Sequence, residues 1–176
     1  GLIQSRKKRN RSTPTNPSTL LEPDFPNDVW CADFKGYFRT LDGFRCDPLT
    51  ISDQFSRYLL ECRCVSRMNS EQAIPAFSRV FQQHGLPRVI RTDNGVPFSS
   101  TALGGLSPLS IWWIKLGITP QRIQPGHPQQ NGAHERMHRT LKRETVSPPA
   151  LHLTWQQRKF DRFKKIYNTE RPHEAL

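Results

Sequence analysis

Residues 29–65 of the chain read VWCADFKGYFRTLDGFRCDPLTISDQFSRYLLECRCV, and this stretch decides the fold. Its first ten residues alternate between apolar and polar side chains, which is the pattern of a half-buried strand. The turn LDGF separates them from the strand-like run FRCDPLTIS, and a short loop separates that run from RYLLECRCV. Three consecutive strands with short connections predict an antiparallel meander.

Downstream of the meander, helical and strand-like segments alternate. Apolar residues recur with helical spacing over 70–84, and the short run VIR at 89–91 and the segment GITPQRI at 117–123 predict two more strands. Further helices are predicted over 105–117, 130–144 and 154–168. The last of these begins with a capping box formed by Thr154 and Gln157. The order predicts an α/β fold with a five-stranded mixed sheet, in which three antiparallel strands are followed by two parallel strands, flanked by helices.

Three acidic residues stand where a solvated surface charge is not expected. Asp33 lies in the middle of the first predicted strand, and Asp93 directly follows the fourth. Glu135 lies in the first turns of the third predicted helix, among basic neighbours. A charge in an apolar strand is costly unless it is paired or binds a cation. Sites in such folds gather at the carboxyl ends of parallel strands, so the three carboxylates are predicted to converge and to bind metal.

The helix that carries Glu135 is predicted to present a basic face. His138, Arg139 and Lys142 follow Glu135 by three, four and seven residues, so we expect them on the same side of the helix. The opposite side, expected to pack on the sheet, carries Ala133, Met137 and Leu141. A phosphodiester along the basic face would meet positive charge while the carboxylate reaches a metal. The alternative is an amphipathic surface helix with local ion pairs.

Residues next to the acids are also predicted to contact DNA. Asn94 and Asn131 each precede a glycine, and such steps allow a ligand to approach the backbone closely. Lys35 and Arg91 flank Asp33 and Asp93, where they either contact phosphate or balance the charge of the acids. Two histidines near Glu135 are expected on the surface. They are His127, in a loop, and His134, on the helix.

The composition of the chain is strongly basic. Its 176 residues include 26 Lys and Arg against 15 Asp and Glu, which gives a formal net charge of +11. This excess predicts a polyanionic partner, and because no run of 18 apolar residues exists, nucleic acid is favoured over a membrane. Residues 1–27 are basic and rich in proline, so we expect a flexible arm there and a single domain over 28–176. In the arm, the residues predicted to contact DNA are Arg6, Lys7, Lys8 and Arg9.

The cysteines do not predict a metal site or a disulfide framework. Cys31, Cys46, Cys62 and Cys64 fall in predicted strands without the spacing of a zinc site. We therefore expect four reduced thiols. No apolar leader follows the charged N-terminus, so a cytoplasmic location is expected.

Three segments of the chain resemble the signature of a known family. They are RTDNGVPF at 91–98, HPQQNGAHERMHRTLK at 127–142 and YNTERPHEAL at 167–176. Together they resemble the DDE integrases and transposases, most closely the bacterial insertion-sequence transposases of the IS481 and IS3 groups and more distantly the retroviral integrases. The resemblance covers about residues 28–176. It implies a ribonuclease H-like fold.

The resemblance also implies roles for the three acids. Asp33, Asp93 and Glu135 would form the catalytic triad and bind two Mg²⁺ or Mn²⁺ ions, with Asp33 bridging them. The implied enzyme is a polynucleotidyl transferase that cuts DNA at transposon ends and joins the freed 3′-hydroxyl to target DNA. It would act as a homodimer or higher assembly on DNA, at the bacterial nucleoid. The alternatives are a ribonuclease H-like nuclease or resolvase that does not join DNA, and an inactive domesticated DNA-binding module.

The spacing of the acids departs from the pattern of the family. The 41 residues between Asp93 and Glu135 are more than is usual, which makes Glu144 a competitor for the third position. Glu144 is expected to turn to another side of the helix. Asp53 is a further acid, which either ligates metal or forms a structural turn or an ion pair with Arg57.

Overall fold

The computed structural model describes residues 20–100, 105–124 and 132–170. The order of its strands and helices is the predicted one, with one short strand added. The elements are β1 (Val29–Phe34), β2 (Phe38–Arg39), β3 (Arg45–Asp53), β4 (Leu59–Val65), α1 (Ser70–His84), β5 (Val89–Thr92), α2 (Pro108–Lys115), β6 (Thr119–Arg122), α3 (Gly132–Thr145) and α4 (Leu153–Glu170). None of the helices within these ranges is long and apolar enough to cross a membrane.

The added strand, β2, results from a break in the first predicted strand. Gly36 adopts a φ of +69°, and the chain then pairs Phe38 with Cys46 and Arg39 with Arg45 of β3. Glycine takes this backbone conformation without the steric cost that a side chain would add. Over the described residues the sheet therefore has six strands, one more than predicted.

The order of the strands places two of the acids together. β1 pairs antiparallel with β3 on one side and parallel with β5 on the other, β4 pairs antiparallel with β3, and β6 pairs parallel with β5. This arrangement confirms the predicted mixed sheet. Ala32 of β1 is level with Thr92 of β5. The next residue of each strand, Asp33 and Asp93, therefore lies at the same end of the sheet.

Successive side chains of β1 point to opposite faces of the sheet. Trp30 and Ala32 belong to the larger core, which β1 shares with α1 and α2 and which also contains Phe77 and Trp113. Asp33 points to the other face, toward α3. The core on that face, between the sheet, α3 and α4, consists of Cys46, Leu59, Cys62, Met137, Leu141, Phe160 and Phe163.

The side chains of α4 cover the free edge of β4. Gln157 accepts a hydrogen bond from the Cys64 N–H at 2.9 Å and donates one to the Cys62 carbonyl at 2.9 Å. Asn168 likewise accepts from the Leu59 N–H at 2.8 Å and donates to the Leu59 carbonyl at 3.0 Å. The two amides take the place of the neighbouring strand that an edge strand lacks.

These contacts correct the predicted start of α4. The helix begins at Leu153, so Thr154 lies inside it rather than at its N-cap. The Gln157 amide, predicted to complete a capping box, is instead bonded to the backbone of β4. Pairing with a distant strand satisfied this side chain in a way that the local pattern does not indicate.

Two of the four cysteines are bonded to each other. Cys46 of β3 and Cys64 of β4 form a disulfide with their Cα atoms 5.5 Å apart, whereas Cys31 and Cys62 are free and buried. The prediction of reduced thiols is therefore wrong for the first pair. Its members lie on neighbouring antiparallel strands, close enough to bond, and that proximity depends on a strand register that the sequence did not specify.

The last residues of the predicted arm contact the domain. The Asn27 N–H donates to Asp53 Oδ1 at 2.8 Å, and Asn27 Nδ2 donates to the His84 carbonyl at 2.8 Å. The Leu21 carbonyl accepts a hydrogen bond from Arg91 at 2.6 Å. The domain boundary after residue 27 stays a prediction. Four residues of the arm predicted to contact DNA lie outside the described ranges: Arg6, Lys7, Lys8 and Arg9.

Candidate active site

Two of the predicted acids lie at the ends of neighbouring parallel strands. Asp33 is near the end of β1, with its side chain 17 % exposed. Asp93 directly follows β5, and its Oδ1 accepts a hydrogen bond from the Gly95 N–H at 3.0 Å. A Cβ atom at residue 95 would lie 3.1 Å from Asp93 Oδ2, so glycine at this position leaves room for the carboxylate.

The pKa of Asp33 shows that the three acids are close together. Burial, and after it the negative charges of Asp93 and Glu135, raise this pKa from 3.8 to about 7, although the Phe34 backbone N–H and Lys35 lower it. Each acid therefore disfavours the ionised form of Asp33. The structure brings the three carboxylates into one electrostatic neighbourhood.

Glu135 is the acid of α3 that faces this neighbourhood. It is exposed in the first turn of the helix, near Asp33 and Asp93. Its competitor Glu144 lies nine residues further on, roughly 13 Å along the helix axis. There the Glu144 carboxylate contacts Arg143 at 3.3 Å.

The oxygen atoms of the three acids suit a hard divalent cation. Mg²⁺ and Mn²⁺ prefer carboxylate oxygens over nitrogen or sulfur ligands. A cation among Asp33, Asp93 and Glu135 would also offset the repulsion that raises the pKa of Asp33. The residues present therefore fit the ions that the resemblance implies.

Asp53 has a structural role. Its Oδ2 accepts hydrogen bonds from the backbone N–H and the hydroxyl of Ser56, at 2.8 and 2.5 Å, and its Oδ1 accepts one from Asn27. The carboxylate thus closes the turn between β3 and β4. The structural alternative stated for this acid is the one that the structure supports.

Four polar side chains, which we call the histidine cluster, fill the space behind Asp33: Thr50, Ser52, His134 and His138. His138 Nδ1 lies 3.6 Å from Asp33 Oδ2, and His138 Nε2 lies 2.5 Å from Thr50 Oγ1. Thr50 Oγ1 also lies 2.7 Å from His134 Nε2, and His134 Nδ1 lies 2.9 Å from Ser52 Oγ. The cluster connects β3 with Asp33 through the two imidazole rings.

Both histidines are buried, which the sequence did not indicate. They are 3 % and 2 % exposed, and burial lowers the pKa of His134 to about 3 and that of His138 to about 2. Both rings are therefore neutral at pH 7. The predictions of a surface position for His134 and of a DNA contact for His138 are wrong, because α3 turns both rings toward β3. Their spacing of four residues, continued by Leu141 and Thr145, marks the inward face of the helix.

The remaining predicted DNA contacts fall into two groups. Arg139 and Lys142 are exposed on α3, and Lys35 is exposed beside Asp33. Asn94 is exposed as well, although its amide donates to the backbone carbonyl that follows β6 at 3.0 Å. Asn131 lies outside the described residues, as does His127. The DNA contacts of the exposed group stay predictions.

Arg91 forms the second group, because it is 2 % exposed. Its guanidinium donates to the Leu21 carbonyl at 2.6 Å and to Gln121 Oε1 at 3.2 Å. A guanidinium enclosed in this way holds the segment before β1 against the sheet and has no open face for a phosphate. We therefore correct its predicted DNA contact to a structural role.

The family comparisons agree with this geometry. A family model described as an integrase core domain matches residues 23–128, more than half of the chain, and a second model with the same description matches residues 116–176. The chain belongs to the integrase core domain family. The two matches together span the strands, the three acids and both C-terminal helices of this integrase core.

Curated relatives of the integrase core come from bacterial insertion elements. An uncharacterized 31.7 kDa protein of insertion element IS407 from Burkholderia multivorans is 27 % identical over 177 residues, covering 100 % of this chain and 61 % of the relative. The transposase for insertion sequence element IS904 from Lactococcus lactis is 27 % identical over 176 residues, covering 98 % and 66 %. The chain thus spans about two thirds of the length of these relatives or less.

Solved structures show the same fold. The integrase core resembles the HTLV-2 integrase catalytic core domain in complex with magnesium, with a TM-score of 0.63 and 17 % identity over 88 % of this chain and 94 % of the other. It also resembles a chain of the simian T-cell lymphotropic virus intasome, with a TM-score of 0.70 and 19 % identity over 96 % and 58 %. The predicted ribonuclease H-like fold is therefore confirmed.

Proposed function

We propose that this integrase core cleaves phosphodiesters at the ends of a mobile DNA element and joins the freed 3′-hydroxyl to target DNA. The observation that carries the proposal is the clustering of Asp33, Asp93 and Glu135 at one end of the sheet, where the pKa of Asp33 rises to about 7. Membership of the integrase core family and the relative named as a transposase support DNA as the substrate.

The three acids are proposed to hold two Mg²⁺ or Mn²⁺ ions, with Asp33 bridging them. Bound ions of this kind activate an attacking oxygen and stabilise the leaving oxygen during displacement at phosphorus. The chain positions the ligands in different ways. Asp33 is fixed within β1, Asp93 is held by the Gly95 N–H, and the exposed Glu135 can adjust from its helix.

Exposed cations next to the acids are proposed to hold the DNA backbone. Arg139 lies one turn of α3 beyond Glu135 and Lys142 lies two turns beyond it, so both can reach the phosphates on either side of the bond that reacts. The chain's formal net charge of +11 favours the same substrate. Further proposed contacts are Lys35, Asn94, Asn131, Arg6, Lys7, Lys8 and Arg9.

The active form is proposed to be a homodimer or a higher assembly on DNA. Two ends of one element must be joined to one target, which requires at least two active sites in a fixed arrangement. Solved relatives are described as a dimeric form, a trimeric form and an intasome.

An assay with intact ends, pre-cleaved ends and a plasmid target tests the proposed activity. The ends are those of the element that encodes the chain. The wild type should cleave and join only with Mg²⁺ or Mn²⁺, and Asp93→Asn should abolish both steps while DNA binding persists. Asp24→Asn is the matched control, because that side chain is 76 % exposed and lies just before the amino end of β1.

The outcomes separate the proposal from its rivals. Cleavage without a joined product would indicate a nuclease or resolvase. DNA binding without any metal-dependent cleavage would indicate a binding module. Activity that survives Asp93→Asn would show that the acids do not form the active site.

A further inference from the structure

The histidine cluster has a defined direction of hydrogen bonding. Thr50 Oγ1 lies between the two rings, 2.5 Å from His138 Nε2 and 2.7 Å from His134 Nε2. At the far ends, His138 Nδ1 approaches Asp33 Oδ2 at 3.6 Å and His134 Nδ1 meets Ser52 Oγ at 2.9 Å. Each neutral ring carries one N–H, and each hydroxyl carries one proton. The protons of the cluster can therefore be counted.

The ionised Asp33 carboxylate fixes the first proton. A carboxylate only accepts hydrogen bonds, so an unprotonated Nδ1 facing it would place two lone pairs against each other. His138 must therefore carry its proton on Nδ1. Its Nε2 then accepts, which requires Thr50 to donate its single proton there.

The remaining protons follow from this assignment. Having donated its proton, Thr50 Oγ1 can only accept from the second ring, so His134 carries its proton on Nε2. His134 Nδ1 is then an acceptor, and the Ser52 hydroxyl donates to it. All four groups are satisfied by one chain of donors that runs from Ser52 to Asp33.

The alternative use of these side chains is a metal site of their own. Ligand atoms of Asp33, His134 and His138 lie within 4.8 Å of one another. Both Nε2 atoms, however, already contact the Thr50 hydroxyl at hydrogen-bond distance. An ion bound by these nitrogens would have to break the two shortest contacts of the cluster, so hydrogen bonding is the better explanation.

We propose that His138 is a positioning residue that directs the Asp33 carboxylate toward its cation through Nδ1–H, and that Thr50, His134 and Ser52 lock it in this tautomer. The part that concerns the cation rests on the proposed function. At 3.6 Å the contact is slightly longer than a hydrogen bond, and a small rotation of the carboxylate closes it. Such a partner holds one oxygen of a ligand and leaves the other to the metal.

Nitrogen NMR of the metal-free chain, labelled in its histidines, tests the direction of the cluster. At pH 8.5, where Asp33 is ionised, His138 should be the Nδ1–H tautomer and His134 the Nε2–H tautomer. His138→Asn and His134→Asn assign the signals, since each removes one ring. A His138 ring with its proton on Nε2 would overturn the proposal, whatever the activity of the chain.

Binding of Mn²⁺, measured by electron paramagnetic resonance, tests the positioning. His138→Leu should raise the dissociation constant by about 10- to 100-fold, the usual cost of losing a partner of a metal ligand. His138→Asn places an amide donor where Nδ1 stands and should restore binding close to that of the wild type. If Leu and Asn bind Mn²⁺ equally well, His138 does not position Asp33.

Thr50 supplies a second pair of variants in case His138→Leu does not fold. Thr50→Val keeps the shape of the side chain but removes the hydroxyl, whereas Thr50→Ser keeps the hydroxyl. Val should release the tautomer of His138 and weaken Mn²⁺ binding, and Ser should preserve both. A wild type that binds no Mn²⁺ but shows the two expected tautomers would contradict the proposed function and leave the cluster's direction intact.

Discussion

Replacing Asp33 with asparagine should stabilise the metal-free domain at high pH. In the folded chain the pKa of Asp33 is about 7, against an ordinary value of 3.8. A carboxyl group with a raised pKa binds its proton more tightly in the folded state than in the unfolded state. The stability that it contributes is therefore fully present below the ordinary pKa and falls as the pH rises through about 7. Asparagine has no proton to lose and escapes this effect.

The size of the effect follows from the two pKa values. Each pKa unit corresponds to about 1.36 kcal/mol, so ionising Asp33 lowers the free energy of unfolding by about 4 kcal/mol in total. Between pH 5 and pH 8 the wild type should lose about 3 kcal/mol of this stability, because the pH crosses most of the interval below 7. The advantage of Asp33→Asn over the wild type should grow by the same amount.

Urea unfolding followed by tryptophan fluorescence measures this difference. Trp30 and Trp113 are fully buried, so their emission reports the unfolding of the core. The measurements are made at pH 5 and pH 8 with a chelator present, and Asp24→Asn serves as the exposed control. Adding Mg²⁺ at pH 8 should then stabilise the wild type but not Asp33→Asn. A stability difference that stays constant with pH would refute the electrostatic account of the site.

Three further substitutions test other parts of the structure. Glu135→Gln should lower metal-dependent cleavage by more than about 100-fold, since a lost ligand costs more than a lost ligand partner; in the same cleavage assay Glu144→Gln should match the wild type, and equal losses would contradict the assignment. Replacing Arg139 and Lys142 with alanine should weaken DNA binding and reduce its salt dependence by about one counterion for each phosphate contact, measured by anisotropy over a salt series; an unchanged slope would exclude these contacts. Phe160→Ala should lower the free energy of unfolding by about 3–5 kcal/mol, because the ring is fully buried against Phe38; a loss under 1 kcal/mol in urea unfolding would show that α4 packs differently.

Much of the fold could be predicted because its signals are local. The apolar spacing and the following Gly85 predicted a helix over 70–84, and the structure has α1 at Ser70–His84. The meander was visible from alternation and turn residues. Asp33 and Asp93 could be assigned to the same end of the sheet because each ends a predicted strand of the same direction.

The support for the site could not be predicted, because it depends on contacts between distant residues. His134 and His138 look like surface residues until β3 places Thr50 and Ser52 opposite them. Arg91 looks like a phosphate ligand until the segment before β1 covers it. In each case a polar side chain is buried with a partner far away in the chain, and local patterns do not reveal the partner.

The two amides of α4 act together as a ruler along β4. Asn168 follows Gln157 by 11 residues, about three helical turns, which brings both amides to one side of the helix. One inserted residue between them would turn Asn168 away by about 100° and leave the backbone groups of Leu59 without their partner. Evolution of this helix is therefore free in the composition of its exposed face but restricted in its length, and any strand that joins the sheet from another chain must enter at a different edge.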